Sequence, residues 1–166
     1  MTIYYPTKDC YEPFCKYIYK YEQIRTNLRR DQDLDGLSPC FRNVWNSFEL
    51  NVNTRTIIKR PQQTMNQALR EWSHYLNGIR NEEQIDGEKL FYSKDGTETT
   101  NMLSFLYHLR NGIAHAGIQD GGDYFIFEIY ESPQKRYLKA YGKIGKEKIF
   151  KLINAFLDDS KSEPVN

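Results

Sequence analysis

The sequence predicts a mainly α-helical bundle of four to five helices, with one β-hairpin placed before the last helix. Apolar residues recur at helical spacing in several segments that proline and glycine separate. One later stretch is instead dense in aromatic and β-branched residues, which favour strands. The chain has 166 residues, 39% of them hydrophobic and 27% charged, enough for one substantial core. We expect a single domain over residues 1–159 and a disordered tail over 160–166.

Three predicted helices occupy the first half of the chain. The first begins at a capping box formed by Asp9 and Glu12 and continues to about Arg30. The second begins at Ser38, which precedes a proline, and the third follows the break at Pro61. Their apolar stripes predict the helical part of the core: Phe14, Ile18, Tyr21, Ile24 and Leu28; Phe41, Val44, Trp45 and Phe48; Met65, Ala68, Leu69, Trp72, Leu76 and Ile79.

A fourth helix follows a long connection. Residues 81–96 are acidic, polar and glycine-bearing, so they are interpreted as a loop. The fourth helix is expected to begin at Asp95 or Thr97 and to end with Gly117 as its C-cap residue.

The β-hairpin is predicted over about 123–142. Tyr124 to Glu131 is rich in strand formers, and residues 136–141 alternate beyond a turn at 132–135. Phe125, Phe127 and Ile129 make one strand face apolar. A closing helix then carries the last apolar stripe, which consists of Ile149, Phe150, Leu152, Ile153, Phe156 and Leu157.

The end of the fourth helix carries the most specific pattern in the chain, an arginine followed five residues later by a histidine. Arg110 can hold a phosphodiester through parallel guanidinium donors, and His115 titrates near neutrality. This pair can serve a cleavage of RNA that uses the 2'-hydroxyl. Two structural alternatives stay open: an arginine that extends its head to solvent, and a histidine that interacts with the helix dipole.

Helical geometry separates the two side chains. Arg110 and His115 lie about 140° apart on a regular helix, so they do not converge easily within one chain. A C2 homodimer across this helix would bring two arginines and two histidines into one cleft. Such a dimer would also cover the broad apolar arc of the helix, which consists of Met102, Leu103, Phe105, Leu106, Leu109, Ile113, Ala114 and Ala116.

The segment from Phe105 to Gly117 resembles the signature of the HEPN superfamily: an arginine, a polar residue after it, and a histidine four to six residues on. Arg110, Asn111 and His115 match those positions. The resemblance implies a HEPN-like helical bundle, usually dimeric, and a metal-independent endoribonuclease leaving 2',3'-cyclic phosphate and 5'-hydroxyl ends. It also implies a toxin or phage-defence context, with a possible antitoxin or regulatory protein. Some members only bind, so an inactive module that binds RNA, a nucleotide or a protein remains an alternative.

The same resemblance suggests roles for individual residues. His115 would act as general base or general acid, and Arg110 would bind the scissile phosphate and stabilise its transition state. Asn111 could orient the imidazole or donate to a phosphate oxygen. Tyr107 and His108, on or beside the polar stripe of the helix, are candidates for contacting the substrate.

The densest basic stretch of the chain lies in and after the hairpin: Lys135, Arg136, Lys139, Lys143, Lys146, Lys148 and Lys151. Tyr137, Lys139 and Tyr141 are expected to share one strand face, where bases could stack on rings and ammonium groups could meet phosphates. Lys139 and Lys143 are therefore candidate substrate-binding residues. The alternative is an ordinary solvated strand face.

Composition narrows the remaining possibilities. The formal net charge is +1, so affinity for nucleic acid must come from local charge placement. No apolar targeting segment and no stretch of membrane-spanning length is present, which predicts a cytoplasmic protein. Three cysteines without CxxC spacing predict neither a zinc site nor a disulfide framework, and we expect no metal and no cofactor. A helical adaptor whose motif is simply a capped helix end is a third functional class.

Overall fold

The computed structural model describes residues 8–30, 39–51, 53–58, 64–81, 88–94, 101–131 and 137–158. Over these ranges the chain forms five helices and five strands. In order, they are α1 (Lys8–Arg30), α2 (Pro39–Asn51), β1 (Asn53–Ile58), α3 (Met65–Asn81), β2 (Lys89–Lys94), α4 (Asn101–Ala114), β3 (Ile118–Asp120), β4 (Tyr124–Tyr130), β5 (Leu138–Gly145) and α5 (Lys146–Leu157).

The strands form one five-stranded sheet in the order β1-β2-β5-β4-β3. β1 pairs with β2 in parallel, and the other neighbours are antiparallel. The prediction of a mainly α-helical, HEPN-like bundle is therefore wrong, because the fold is mixed α/β. The predicted hairpin is confirmed as β4 and β5, and β5 is the central strand of the sheet. The closing helix is confirmed as α5, and the stripes of the first three helices belong to α1, α2 and α3.

The strand β2 lies inside the segment that its polar and acidic composition assigns to a loop. Leu90 and Tyr92 are buried in one core, and Phe91 is buried in a second core on the other side of the sheet. A strand that is buried on both faces lacks the alternation of apolar and polar residues that identifies a half-buried strand. Periodicity therefore does not distinguish this short apolar run from the polar residues on either side of it.

Two cores lie on opposite faces of the sheet. The larger core fills the space between one face and the helices α1, α2, α4 and α5. Aromatic contacts run through this core. The ring centroids of Phe14 on α1 and Phe125 on β4 lie 5.4 Å apart, and those of Phe41 on α2 and Phe156 on α5 lie 5.7 Å apart. The smaller core joins the other face to α3 and consists of Trp72, Leu76, Phe91 and Leu138. The sheet is thus covered by helices on both sides.

A β-bulge at Lys139 changes which side chains share a face. Ile129 pairs with Ala140 and Tyr130 with Leu138, so Lys139 has no partner in the ladder. Leu138 is buried in the smaller core and Ala140 in the larger one.

The bulge overturns one prediction about the hairpin. The Lys139 ammonium lies over the ring of Tyr107 on α4, whereas Tyr141 packs against the smaller core on the α3 side. Lys139 and Tyr141 thus lie on opposite faces, and the prediction that Tyr137, Lys139 and Tyr141 share one face is wrong.

Some predictions fall on residues outside the described ranges. They include the start of the fourth helix at Asp95 or Thr97 and the tail over 160–166. Among the helices that the structure describes, none is long and apolar enough to cross a membrane.

Candidate functional site

Helix α1 holds the motif helix α4 in place through a buried tyrosine. The hydroxyl of Tyr17 donates to the backbone carbonyl of Leu106 over 2.6 Å. Tyr17 is fully buried, and this burial raises its pKa well above the ordinary value, with a smaller contribution from Tyr21 and an opposing one from Arg110. The phenol therefore stays neutral and remains a donor. One turn of α4 beyond this contact lies the motif arginine.

Arg110 is fixed by two side chains. Its Nε donates to Glu22 Oε1 on α1 over 2.7 Å, and its Nη1 donates to Asn111 Oδ1 over 2.9 Å. The other carboxylate oxygen of Glu22 lies 3.2 Å from Nη1 of Arg25. These contacts occupy two of the five N–H donors of a guanidinium. The Arg110 side chain is 27% exposed, so it is partly accessible to solvent while these contacts fix its orientation.

His115 lies at the C-terminal end of α4 and is exposed. Its backbone N–H donates to Asn111 O over 2.9 Å, and the N–H of Gly117 donates to Gly112 O over 2.7 Å. Between them, Ala116 has a φ of +56°. The bond from Gly117 to Gly112 and the left-handed residue before it define a Schellman ending, with His115 between the last helical residue and Ala116. The left-handed residue that ends the helix is Ala116, one position before Gly117, which the sequence predicts as the cap.

Two glycines let the end of α4 rest directly on the sheet. A Cβ at Gly112 would lie 2.8 Å from Cγ1 of Ile118 on β3. A Cβ at Gly117 would lie 3.0 Å from the carbonyl oxygen of Glu128 on β4, whose own N–H donates to Gly117 O over 2.8 Å. Close packing thus accounts for both glycines without any catalytic role for them. The same packing fixes the position of His115 at the end of the helix.

Among the described residues, no hydrogen bond or ion pair joins Arg110 and His115, as their spacing of five residues along the chain predicts. The apolar arc of α4 does not provide an argument for a dimer, because its central residues are buried within the same chain: Met102, Phe105, Leu106 and Leu109. A dimer would have to use the exposed end of the helix instead.

His108 is not placed to contact a substrate. It is 2% exposed, and its Nε2 lies 2.7 Å from the carbonyl oxygen of Ser93 and 3.3 Å from the Ser93 hydroxyl. Its neighbour on the same stripe, Ser104, is also buried. These two side chains are buried because the strand β2, which the sequence did not predict, packs against this part of α4.

The other candidate substrate-binding residues fall into two places. Nζ of Lys139 lies 5.9 Å from the ring centroid of Tyr107, so these two are brought together beside α4. Nζ of Lys143 lies 5.0 Å from the ring centroid of Tyr124, on the other face of the sheet. Lys139 and Lys143 therefore cannot act on one stretch of substrate in the way that simple alternation suggests.

Glu22 is the site residue that the sequence did not predict. It is 88 residues from Arg110 in the chain, and nothing in the local pattern of α1 distinguishes it from other surface carboxylates.

Within the described ranges, no group of three or more His, Cys, Asp or Glu side chains is arranged to hold a metal ion. Comparison of the chain with protein-family models, with curated proteins and with solved structures finds no match.

Proposed function

We propose that the protein is a metal-independent endoribonuclease of the HEPN type, active as a homodimer in the cytoplasm. It would cleave RNA through attack of the 2'-hydroxyl and leave 2',3'-cyclic phosphate and 5'-hydroxyl ends. The observation that carries this proposal is the fixed, partly exposed guanidinium of Arg110, held by Glu22 and Asn111 on the helix that ends in the exposed His115.

Arg110 supplies the binding of the phosphate. With Nε on Glu22 and one Nη1 hydrogen on Asn111, its other N–H groups are free of partners among the described residues. A guanidinium held in this way can meet two phosphate oxygens with little loss of side-chain entropy. It also stabilises the additional negative charge of the pentacoordinate transition state. Glu22 acts through Arg110 and is a positioning residue.

His115 supplies the proton transfers. Its exposed imidazole can take the proton of the 2'-hydroxyl or protonate the leaving 5'-oxygen. Because positions 110 and 115 point about 140° apart on a regular helix, we assign the histidine that acts with Arg110 to a second copy of the chain. Ala114, His115 and Ala116 are three consecutive exposed residues at the helix end, and their small flanking side chains allow a second helix end to approach closely.

The test is cleavage of a defined single-stranded RNA in excess EDTA. We expect Arg110→Ala and His115→Ala each to lower the rate by on the order of 10²-fold or more. The matched controls are Arg70→Ala and His74→Ala, which remove an exposed arginine and an exposed histidine from α3 and should leave the rate unchanged. End-group analysis should find cyclic phosphate in the products, and a DNA strand of the same sequence should stay intact.

A mixing experiment tests the shared site. If Arg110 and His115 act from different chains, combining the two inactive variants rebuilds one intact site in each mixed dimer. About a quarter of the parent activity should then return, because half of the dimers are mixed and each has one of two sites. Equal cleavage by parent and variants would indicate a contaminating nuclease and would contradict the proposal.

The ion pair to Glu22 favours one alternative, a catalytically inactive module that binds RNA, a nucleotide or a protein partner. A carboxylate 2.7 Å from Nε of Arg110 competes with a phosphate for the guanidinium. In an inactive module, Glu22→Gln should strengthen binding of an anionic ligand without any cleavage. In the nuclease, the same change should lower the turnover rate, because the guanidinium loses its fixed orientation.

We further propose a toxin or phage-defence role, restrained by an antitoxin or another regulatory protein. Uncontrolled cleavage of cellular RNA stops growth, so induced expression of the parent should arrest a host culture. The His115→Ala variant, expressed to the same level, should not. Arrest by both proteins would show that the toxicity does not come from RNA cleavage.

A further inference from the structure

Two lysines stand directly opposite each other on the sheet face that also carries α3. Lys89 on β2 and Lys143 on β5 are register partners. Two residues along each strand, Phe91 and Tyr141 belong to or pack against the smaller core under α3. Because side chains alternate along a strand, Lys89 and Lys143 project from the same face, beyond the part that α3 covers.

This pairing is unfavourable in the protein alone. Like charges that are directly opposite in a sheet destabilise it. Neither Lys89 nor Lys143 forms an ion pair with another residue that the structure describes. The carboxylate next in sequence, Glu88, is already engaged by Nζ of Lys148 at 2.9 Å and by the N–H of Gly145 at 3.1 Å. The two ammonium groups therefore lack a compensating charge within the described part of the chain.

The backbone brings the two strands close at this point. A Cβ at Gly142, the residue before Lys143, would collide with the carbonyl oxygen of Lys89, so only glycine fits there. Beside the lysines lies an aromatic ring: Nζ of Lys143 is 5.0 Å from the ring centroid of Tyr124, and Tyr124 is 37% exposed. Two partly buried lysines and an exposed aromatic ring thus share one small surface.

We propose that Lys89, Lys143 and Tyr124 form a binding surface for single-stranded RNA, separate from the Arg110 site. The lysines neutralise two backbone phosphates, and Tyr124 offers its ring for stacking of one base. Ammonium groups interleaved with an exposed ring are the arrangement that binds single strands without regard to sequence. The choice of RNA as the ligand rests on the proposed function. The role of this surface would be to position the RNA substrate.

The test is fluorescence anisotropy with a labelled single-stranded DNA oligonucleotide, which presents phosphates and bases but has no 2'-hydroxyl. The double variant Lys89→Gln/Lys143→Gln should bind about ten-fold more weakly at about 0.1 M salt. The slope of log affinity against log salt should fall by about 1.4, since each single-strand phosphate contact contributes about 0.7. Tyr124→Leu should weaken binding by at least about five-fold with an unchanged salt slope.

The matched control is Lys151→Gln, which removes an exposed lysine from α5, on the opposite side of the sheet. Its affinity and salt slope should match the parent. Thermal unfolding accompanies each measurement, and the double variant should be no less stable than the parent because it relieves the repulsion between the lysines. An unchanged slope in the folded double variant, or an equal fall in Lys151→Gln, would overturn the proposal.

The outcome can be separated from that of the proposed function. Binding that depends on Lys89 and Lys143, without cleavage of RNA by the parent, would support the surface and contradict the nuclease. Cleavage that depends on Arg110, with binding insensitive to the two lysines, would support the nuclease and refute the surface.

Discussion

Ala116 occupies a backbone conformation that glycine would adopt at lower cost. Its φ of +56° places it in the left-handed region, where an L-residue costs about 1 to 2 kcal/mol. Ala116→Gly removes this cost but gives the unfolded chain extra freedom, which is worth about 0.4 to 1 kcal/mol. The midpoints of these two ranges differ by about 0.8 kcal/mol, so we expect the free energy of unfolding to rise by about 0.5 to 1 kcal/mol.

The matched control lies two residues earlier. Ala114 is the last residue of α4 and is also exposed, so Ala114→Gly makes the same chemical change in a helical conformation. There glycine should lower the free energy of unfolding by about 0.5 to 1 kcal/mol. Urea unfolding, followed by circular dichroism, measures both values, and the corresponding melting temperatures should move in opposite directions by about 1 to 4 °C.

Changes of opposite sign in the free energy of unfolding for Ala114→Gly and Ala116→Gly would establish the Schellman ending. This ending determines where His115 leaves the helix. A loss of stability in both variants would show that the helix continues through residue 116. In that case His115 would lie inside a helical turn, and the argument that its backbone position is set by the helix ending would be refuted.

Three further predictions concern packing and charge. Gly112→Ala should lower the free energy of unfolding by about 1 to 3 kcal/mol, because the new Cβ would lie 2.8 Å from Ile118. Gly78→Ala should instead raise it by about 0.5 to 1 kcal/mol, because no atom lies within 4 Å; urea unfolding measures both. The hydrogen bond from Lys146 lowers the pKa of Asp120, so Asp120 stabilises the fold while ionised, and this stabilisation is lost as the pH falls through the lowered pKa. The stability difference between parent and Asp120→Asn should therefore be largest near neutrality and shrink below about pH 4, which thermal unfolding across pH would reveal.

The elements that could be predicted from the sequence are those with a local signature. The stripe that includes Trp72 and Leu76 repeats at helical spacing, and it belongs to α3. The strand formers from Tyr124 onward mark the first strand of the hairpin, although β5 continues to Gly145, beyond the predicted boundary. In both cases one short window of residues contains the whole pattern.

The parts that could not be predicted depend on residues distant in the chain. The pairing of Glu22 with Arg110 requires α1 and α4 to pack together, which periodicity does not specify. The bulge at Lys139 depends on the register between β4 and β5, so alternation within β5 alone misplaces its side chain. The position of His108 on a polar stripe predicts exposure to solvent, whereas the strand β2, which has no periodic signature, covers it. Arg110 and Asn111 were identified from their spacing, but their orientation comes from the fold.

The two cores divide the tryptophans of the chain between them. Trp45 is buried in the larger core and Trp72 in the smaller one, and these are the two tryptophans of the sequence. Each side of the sheet therefore carries its own intrinsic fluorophore. In the Trp45→Phe variant, the remaining tryptophan fluorescence reports on the α3 side of the sheet alone. In the Trp72→Phe variant, it reports on the side covered by the other helices. Because both layers share the strands β2 and β5, coincident emission transitions would mean that the sheet couples the two halves into one cooperative unit.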